Sequence, residues 1–469
     1  MFLLVRLKEK PAIGFFGGVA VKRVWWLGFM LVLIMAAAAR AEAPAVTLSV
    51  GDSCVLIAGD GTELVPAGTY SNIEPLGDQQ PYYYAAYQID GEEPDKAKLL
   101  DASGKPLTDF SYEYLTQMGD KFCFEQDGFY GVMDASQQVI VPCQYTSIVE
   151  NGEGGYLALT TNPYDERADG VYYLDASGAE TATGIRILYG LTEFSNGLMP
   201  VLSAETGRTG YLNPRGEWAI SAQFSYAGAF SGSFADAAID SGTGLIDASG
   251  NWLITPKYQT LSVAGSGSVV VAQTDGTRIE LIDPATFQTI KEFTGEDIYF
   301  AASPDSSLIT LYMDGKMAMV DSKGNEVLST ATPDSSAECD EVRVILREGP
   351  WGEKNATLCD QTGKRLAGPY QDIWRVSAVS GTPYYAFSSF DTQTEKLDGG
   401  YAYLNEVPDS RKTGLLDANG KVLWQPADIL ELYSPAEGLF TVQTPGKAGV
   451  MKADGTWLKS YDITGDDSE

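Results

Sequence analysis

Histidine is absent from all 469 residues. That removes Ser-His-Asp and Cys-His nucleophilic catalysis, the usual zinc sites and the commonest general base. What remains in quantity is carboxylate, 63 Asp and Glu against 32 Lys and Arg. Two carboxyl groups held about 5–10 Å apart suffice for glycoside hydrolysis, but acids so numerous and so scattered single out no pair. Calcium is the other use for acids, and turns such as Asp247-Ala248-Ser249-Gly250 recur along the chain. A calcium loop needs several converging oxygens and a later Glu, whereas each of these turns supplies one or two. They read as hairpin turns, not metal sites. No G-x-S-x-G elbow occurs, and Gly265-Ser266-Gly267 lacks the lysine and helix of a phosphate loop. The residues point away from an enzyme and call for no cofactor and no metal.

Cys54, Cys123, Cys143, Cys339 and Cys359 are too few for a disulfide scaffold. Twenty residues separate Cys123 from Cys143 and Cys339 from Cys359, so either pair could staple neighbouring strands. The competing reading is that they are small buried hydrophobes.

The stretch Gly244 to Tyr258, GLIDASGNWLITPKY, explains what positions these residues. Gly244-Leu245-Ile246 reads as a strand, Asp247 to Gly250 as a turn, and Trp252-Leu253-Ile254 as the returning strand. The Asp247 carboxylate can accept from backbone N–H groups ahead of it, and Gly250 supplies the positive φ of a bulged hairpin. Pro256 ends the pairing because it has no N–H to give. Weaker copies recur, with Asp101, Asp134, Asp175, Asn213, Asp247, Asp283, Asp321, Asp360, Asp417 and Lys452 at the first turn position, a mean step of 39 residues. Asn213 with Gly216, and Asp417 with Gly420, repeat the roles of Asp247 and Gly250. Fifty glycines, 26 tyrosines and short apolar runs fit an all-β chain. The period predicts about ten units of three or four strands each. Consecutive apolar residues such as Leu245-Ile246 predict sheets covered on both faces, as propeller blades are. A propeller-like toroid, or two, is preferred; an open curved stack is the alternative.

These copies resemble the WG-repeat (KWG) family, whose motif runs approximately W-G-φ-φ-D-x-x-G-x-x-φ-I-x-P-x-Y. The match is strongest at residues 210–224, 244–258 and 414–426, and Phe194-Ser195-Asn196-Gly197-Leu198 fits the family's connector. The tryptophan before the glycine is replaced by Tyr130, Thr209, Thr243, Thr413 or Ala448. The resemblance implies a β-repeat array of exported or surface bacterial proteins, mostly without assigned activity.

At the N-terminus, Lys22 and Arg23 precede an apolar run at 24–39, and Ala39-Arg40-Ala41 offers a small-x-small cleavage site. Residues 1–41 read as a signal peptide, with a retained membrane anchor as the alternative; 42–50 read as a linker, 51–462 as the array and 463–469 as an acidic tail. Cleavage would take the net charge from −31 to −36. Such a surface repels nucleic acid and anionic lipid. The expected product is a secreted or cell-surface monomer that binds or scaffolds a protein or glycan without catalysis. The alternatives are a purely structural surface protein and a carboxylate-dependent hydrolase.

Partner contacts are expected where the array is interrupted. Asp360 and Asp417 stand 57 residues apart, 18 more than the mean step. The excess includes polar 391–400 (DTQTEKLDGG) and 405–412 (NEVPDSRK). Insertions in repeat arrays map to loops on one face, often the binding face. This makes Asp391, Thr392, Gln393, Glu395, Lys396 and Asp398 candidate partner contacts, with Tyr384, Tyr385 and Tyr401 beside them. A harmless surface loop is the competing reading. The aromatic runs at 81–87 and 383–387 could stack on sugars or partner side chains, but alternation on a strand favours core packing for both.

Export is testable directly. N-terminal sequencing of culture fluid should find a chain starting near Glu42; an intact Met1 on cytosolic protein would rule cleavage out.

Overall fold

The computed structural model describes residues 45–77, 80, 82–88, 96–160, 170–303, 306–332, 334–349, 352–376, 382–396 and 402–463. Residues 1–41, expected as a signal peptide, and most of the expected acidic tail, 464–469, lie outside them.

Asp247 Oδ1 accepts from the N–H groups of Ser249 and Asn251, both at 2.9 Å. The Gly250 N–H donates to Asp247 O at 2.9 Å, and the Asp247 N–H to Asn251 O at 2.9 Å. Gly250 holds φ at +80°. This closes a hairpin between Gly242–Asp247 and Trp252–Tyr258. Further along, three residues, Thr255 to Lys257, stand against Gly244 alone. A Cβ on Gly244 would lie 2.9 Å from both Pro256 N and the Trp252 ring. The glycine of the repeat is there because the outer strand bulges over it.

Two inner strands complete the sheet, Tyr226–Ala227 and Phe234–Ile239, in antiparallel order. Eleven such sheets of three or four strands follow one another among the described residues, and a separate two-stranded hairpin interrupts the tenth. The blades span 46–70, 72–100, 114–145, 147–182, 199–224, 226–258, 260–294, 299–330, 336–370, 372–427 and 431–462. The chain is an all-β, eleven-bladed propeller, with no α-helix among the described residues. Residues 46–50, expected as linker, are a strand of blade 1, where Val46 is buried. Their alternation had no turn motif ahead of it to mark a repeat.

The core is divided into eleven apolar clusters, each shared between adjacent blades. Ile246 joins Tyr211, Ile220 and Phe224 of blade 5. Its neighbour Leu245 joins Val270, Ala272 and Ile282 of blade 7. Consecutive apolar residues on one strand therefore serve two interfaces. The last cluster packs Ala448 and Val450 of blade 11 on Val46, Leu48, Val55 and Ile57 of blade 1. That contact closes the ring and excludes the open stack and the double toroid. Burying six to nine such residues contributes on the order of 10 kcal/mol per interface before ordering entropy is subtracted.

The turn between third and fourth strands docks on the preceding blade. A Cβ on Gly250 would come within 2.7 Å of Ile220 Cγ2 in the outer strand of blade 5. Gly104 meets Val65 of blade 1 and Gly420 meets Leu366 of blade 9 in the same way. Gly61 of blade 1 meets Leu458 of blade 11. In blade 3 Gln137 takes the positive φ, at 68°, and its amide donates to Leu107 O.

All five cysteines are free. Cys123 and Cys143 lie on the second and fourth strands of blade 3, and Cys339 and Cys359 on the first and third of blade 9. One strand intervenes in each pair, about 10 Å in all, which is too far for a bridge. Burial pushes the Cys123 thiol up to about 12.

Gly250→Val should destabilise the fold by roughly 1–3 kcal/mol, from positive φ and the contact with Ile220; an unchanged thermal melt would refute the docking role. The turn aspartates also predict an acid limit. The Ser177 hydroxyl, then the N–H groups of Ala179 and Ser177, hold the Asp175 carboxyl below its usual range. Ser136 and Thr362 do the same for Asp134 and Asp360. A depressed folded pKa gives stability that is present above about 3.9 and lost as pH falls through the folded value. The melting temperature should hold from neutrality to about pH 5 and fall below about pH 4, less steeply in Asp175→Asn. A melt independent of pH across that range would contradict this.

Candidate functional site

Blade 10 runs Asp372–Arg375, Tyr384–Ser389, Lys412–Asp417 and Val422–Ala427. In blade 6 two residues, Asp240 and Ser241, join the second and third strands. In blade 10 the same connection holds a further hairpin, Thr392–Lys396 paired with Ala402–Glu406. The polar stretch expected as a loop is therefore a strand over Thr392–Lys396. Its sequence lacks apolar alternation, and Asp391, Thr392, Gln393 and Thr394 are exposed. Glu395 and Lys396 belong to the strand, and Asp398 and Tyr401 lie outside the described residues.

The base of the hairpin is fixed on several sides. The Val407 N–H donates to Asp391 O at 2.8 Å, and the Asp391 N–H to Ser410 Oγ at 3.0 Å. Arg411 donates to Glu406 at 2.5 Å and to the buried Ser388 Oγ at 2.9 Å. Its guanidinium lies 4.5 Å from the centroid of Phe390, which is buried. Phe390 is held in turn by Gln371, whose Oε1 accepts the Phe390 N–H at 2.7 Å while its amide donates to Phe390 O at 2.5 Å. Asp372 bridges Arg411, at 3.8 Å, to Arg347, at 3.3 Å. A planar guanidinium that stacks and pairs at once makes a stiff joint.

The aromatic candidates are placed differently. Tyr385 is fully buried and donates to Asp340 Oδ2 at 2.5 Å, so it is withdrawn as a partner contact. Burial, then the hydrogen bond to Asp340, pushes its hydroxyl far above the usual tyrosine range. Tyr384 is half-buried, edge-on to Phe440 of blade 11 at 5.0 Å. Both rings hold blades together. In the run at 81–87, Tyr84 is buried and its hydroxyl meets Ala45.

A second feature had no signal in any single motif. A cleft of about 640 Å³ opens between the first strands of blades 3 and 4, Tyr114–Met118 and Ser147–Glu150. Tyr114, Thr116, Tyr130, Glu150, Glu193 and Phe194 are among its lining residues. Tyr114 and Tyr130 flank Glu125 in register across three strands, and the rings stand edge-on at 6.5 Å. Burial, then the hydrogen bond that the hydroxyl donates to Glu125, pushes the Tyr130 hydroxyl up to about 12. Burial also raises the Glu150 carboxyl, and Asp120 adds to the effect. The Tyr-Glu-Tyr row is readable from hairpin register alone; the partner strand thirty residues on is not.

Comparison with known proteins bears on the repeat. No curated protein matches the chain in sequence. A crystal structure of the eukaryotic initiation factor is 13% identical with a TM-score of 0.39, over 62% of this chain and 88% of that one. The computationally designed Ika8 protein is 13% identical with a TM-score of 0.29, over 69% and 98%. BamB from Moraxella catarrhalis is 12% identical with a TM-score of 0.28, over 66% and 94%. The WG containing repeat matches residues 130–160, 210–241 and 244–276. Each match starts in the next-to-last strand of one blade and ends at, or within two residues of, the end of the second strand of the next. The sequence repeat is thus one blade-to-blade joint, and the chain carries the WG containing repeat at three positions of an eleven-bladed propeller.

Proposed function

We propose that this WG-repeat propeller is an exported, non-catalytic binding or scaffold protein that meets a protein partner through the blade 10 hairpin. The observation that carries the reading is a stiff base under a hairpin whose first strand begins with exposed polar residues, Thr392, Gln393 and Thr394. Ordering entropy is already spent at the Arg411–Phe390 joint, so a partner need not supply it. The hairpin forms its own two-stranded sheet among the described residues. Its outer backbone edges suit addition of an extended segment, which favours polypeptide over glycan. Export is supported by the basic, apolar, Ala-x-Ala sequence at 22–41, and absence of catalysis by the lack of histidine.

The test keeps the base and removes the hairpin. Replacing residues 393–405 by a Gly-Ser turn, which keeps Glu406 for Arg411, should leave the thermal melt as it was, because closure entropy changes little with loop length. The variant should fail to capture a cell-envelope protein that the parent captures. A variant that folds and captures the same protein would overturn the reading, and capture of a glycan alone would replace the protein partner. Turnover in a hydrolase screen, abolished by one Asp or Glu substitution, would overturn the non-catalytic part.

A further inference from the structure

The cleft between blades 3 and 4 has a chemistry separate from the hairpin's. Its volume of about 640 Å³ lies within the usual range for a small-molecule site. Tyr114, exposed over nearly half its surface, and Tyr130 wall one end, with Glu125 between them in register. Glu150 lies toward the other end, over Gly119 of the turn after the first strand of blade 3. Glu193 adds a second carboxylate to the lining. Tyr114 and Met118 mark a separation of about 13 Å along the strand. No lysine or arginine lines the cleft among the described residues. Lys121, close by, is paired with Asp120 at 2.6 Å.

Aromatic faces and carboxylates without a lining cation select for positive charge. Ring faces attract ammonium groups through their quadrupoles, and a carboxylate in a partly desolvated cleft gains most from a cation that brings its own donors. Neutral polar groups, Thr116 and Thr146, line the floor. A sugar would use the rings and the floor but would leave Glu150 and Glu193 uncompensated. An anion is excluded by the same carboxylates.

We propose that this cleft binds an elongated organic cation, with one alkylammonium group at the end walled by the Tyr114 and Tyr130 rings and a second at Glu150. Two sources carry this chemistry, a free linear polyamine and the lysine side chains of a basic peptide.

Calorimetric titration of the full-length protein with spermidine, with tri-lysine and with a neutral trisaccharide separates the outcomes. One amine probe should saturate a single site, and the tighter of the two identifies the source. Tyr114→Ala and Glu150→Gln should each weaken binding by about tenfold or more. Tyr114→Phe, which keeps the ring, should bind as the parent does. Asp52→Asn, an exposed charge on blade 1, should change nothing and so controls for general attraction to a chain of net charge −31. Matching thermal melts of Glu150→Gln and Tyr114→Phe confirm folding should Tyr114→Ala be unstable. Amine binding indifferent to Glu150→Gln and Tyr114→Ala would overturn the proposal. So would saturation by the trisaccharide alone, or no binding by either amine.

Discussion

Everything in this molecule depends on one contact, the seating of a third-to-fourth-strand turn on the outer strand of the blade before it. The turn must be tight, so its first residue, Asp247 in blade 6, accepts from the N–H groups ahead of it. It must also be bare, because Ile220 lies where a side chain on Gly250 would go. These are two constraints three positions apart, and they make Asp-x-x-Gly visible in the chain. The apolar interfaces supply most of the free energy, but they are non-directional. The turn sets how far each blade is rotated and displaced against its neighbour.

Much of this was legible before any coordinates. A hairpin turn, a bulge and a two-faced strand are decided by residues within fifteen positions of one another, and Gly244 to Tyr258 holds all three. Closure was not legible, because the pairing of Ala448 and Val450 with Val46 and Leu48 depends on the sum of ten preceding joints. The first strand of the inserted hairpin reads as a loop for a related reason. Thr392, Gln393 and Thr394 are exposed, so Thr392–Lys396 carries none of the apolar alternation by which strands are recognised. Tyr384 and Tyr385 were grouped by composition, yet adjacent positions on a strand face opposite sides. The cleft escaped because Tyr114 and Glu150 belong to different blades, and their neighbourhood follows from the ring.

The two candidate sites use the scaffold in different ways. The hairpin leaves the ring through a connection that elsewhere is as short as two residues, and Arg411 ties it back to Ser388, Phe390 and Glu406. The cleft needs no added element. It is the space left where two first strands diverge, and its chemistry comes from Tyr114, Tyr130 and Glu150 facing the gap. Joints can therefore keep one architecture while side chains at the gaps differ.

The final joint differs from the other ten in one respect. Backbone crosses every other interface, but among the described residues blades 11 and 1 are joined by side chains and turns alone. Tyr461 and Lys459 reach Glu63 at 2.5 and 2.9 Å, with 398 residues of chain between Tyr461 and Glu63. Tyr461, then Lys459, holds the Glu63 carboxyl below its usual range. A ring with a single non-covalent seam unzips there first, and the parting surfaces carry Val46, Leu48, Ala448 and Val450. Each opened end is then the complement of the other end of a second molecule. Opening at this seam would expose two complementary apolar surfaces while leaving the other ten joints in place.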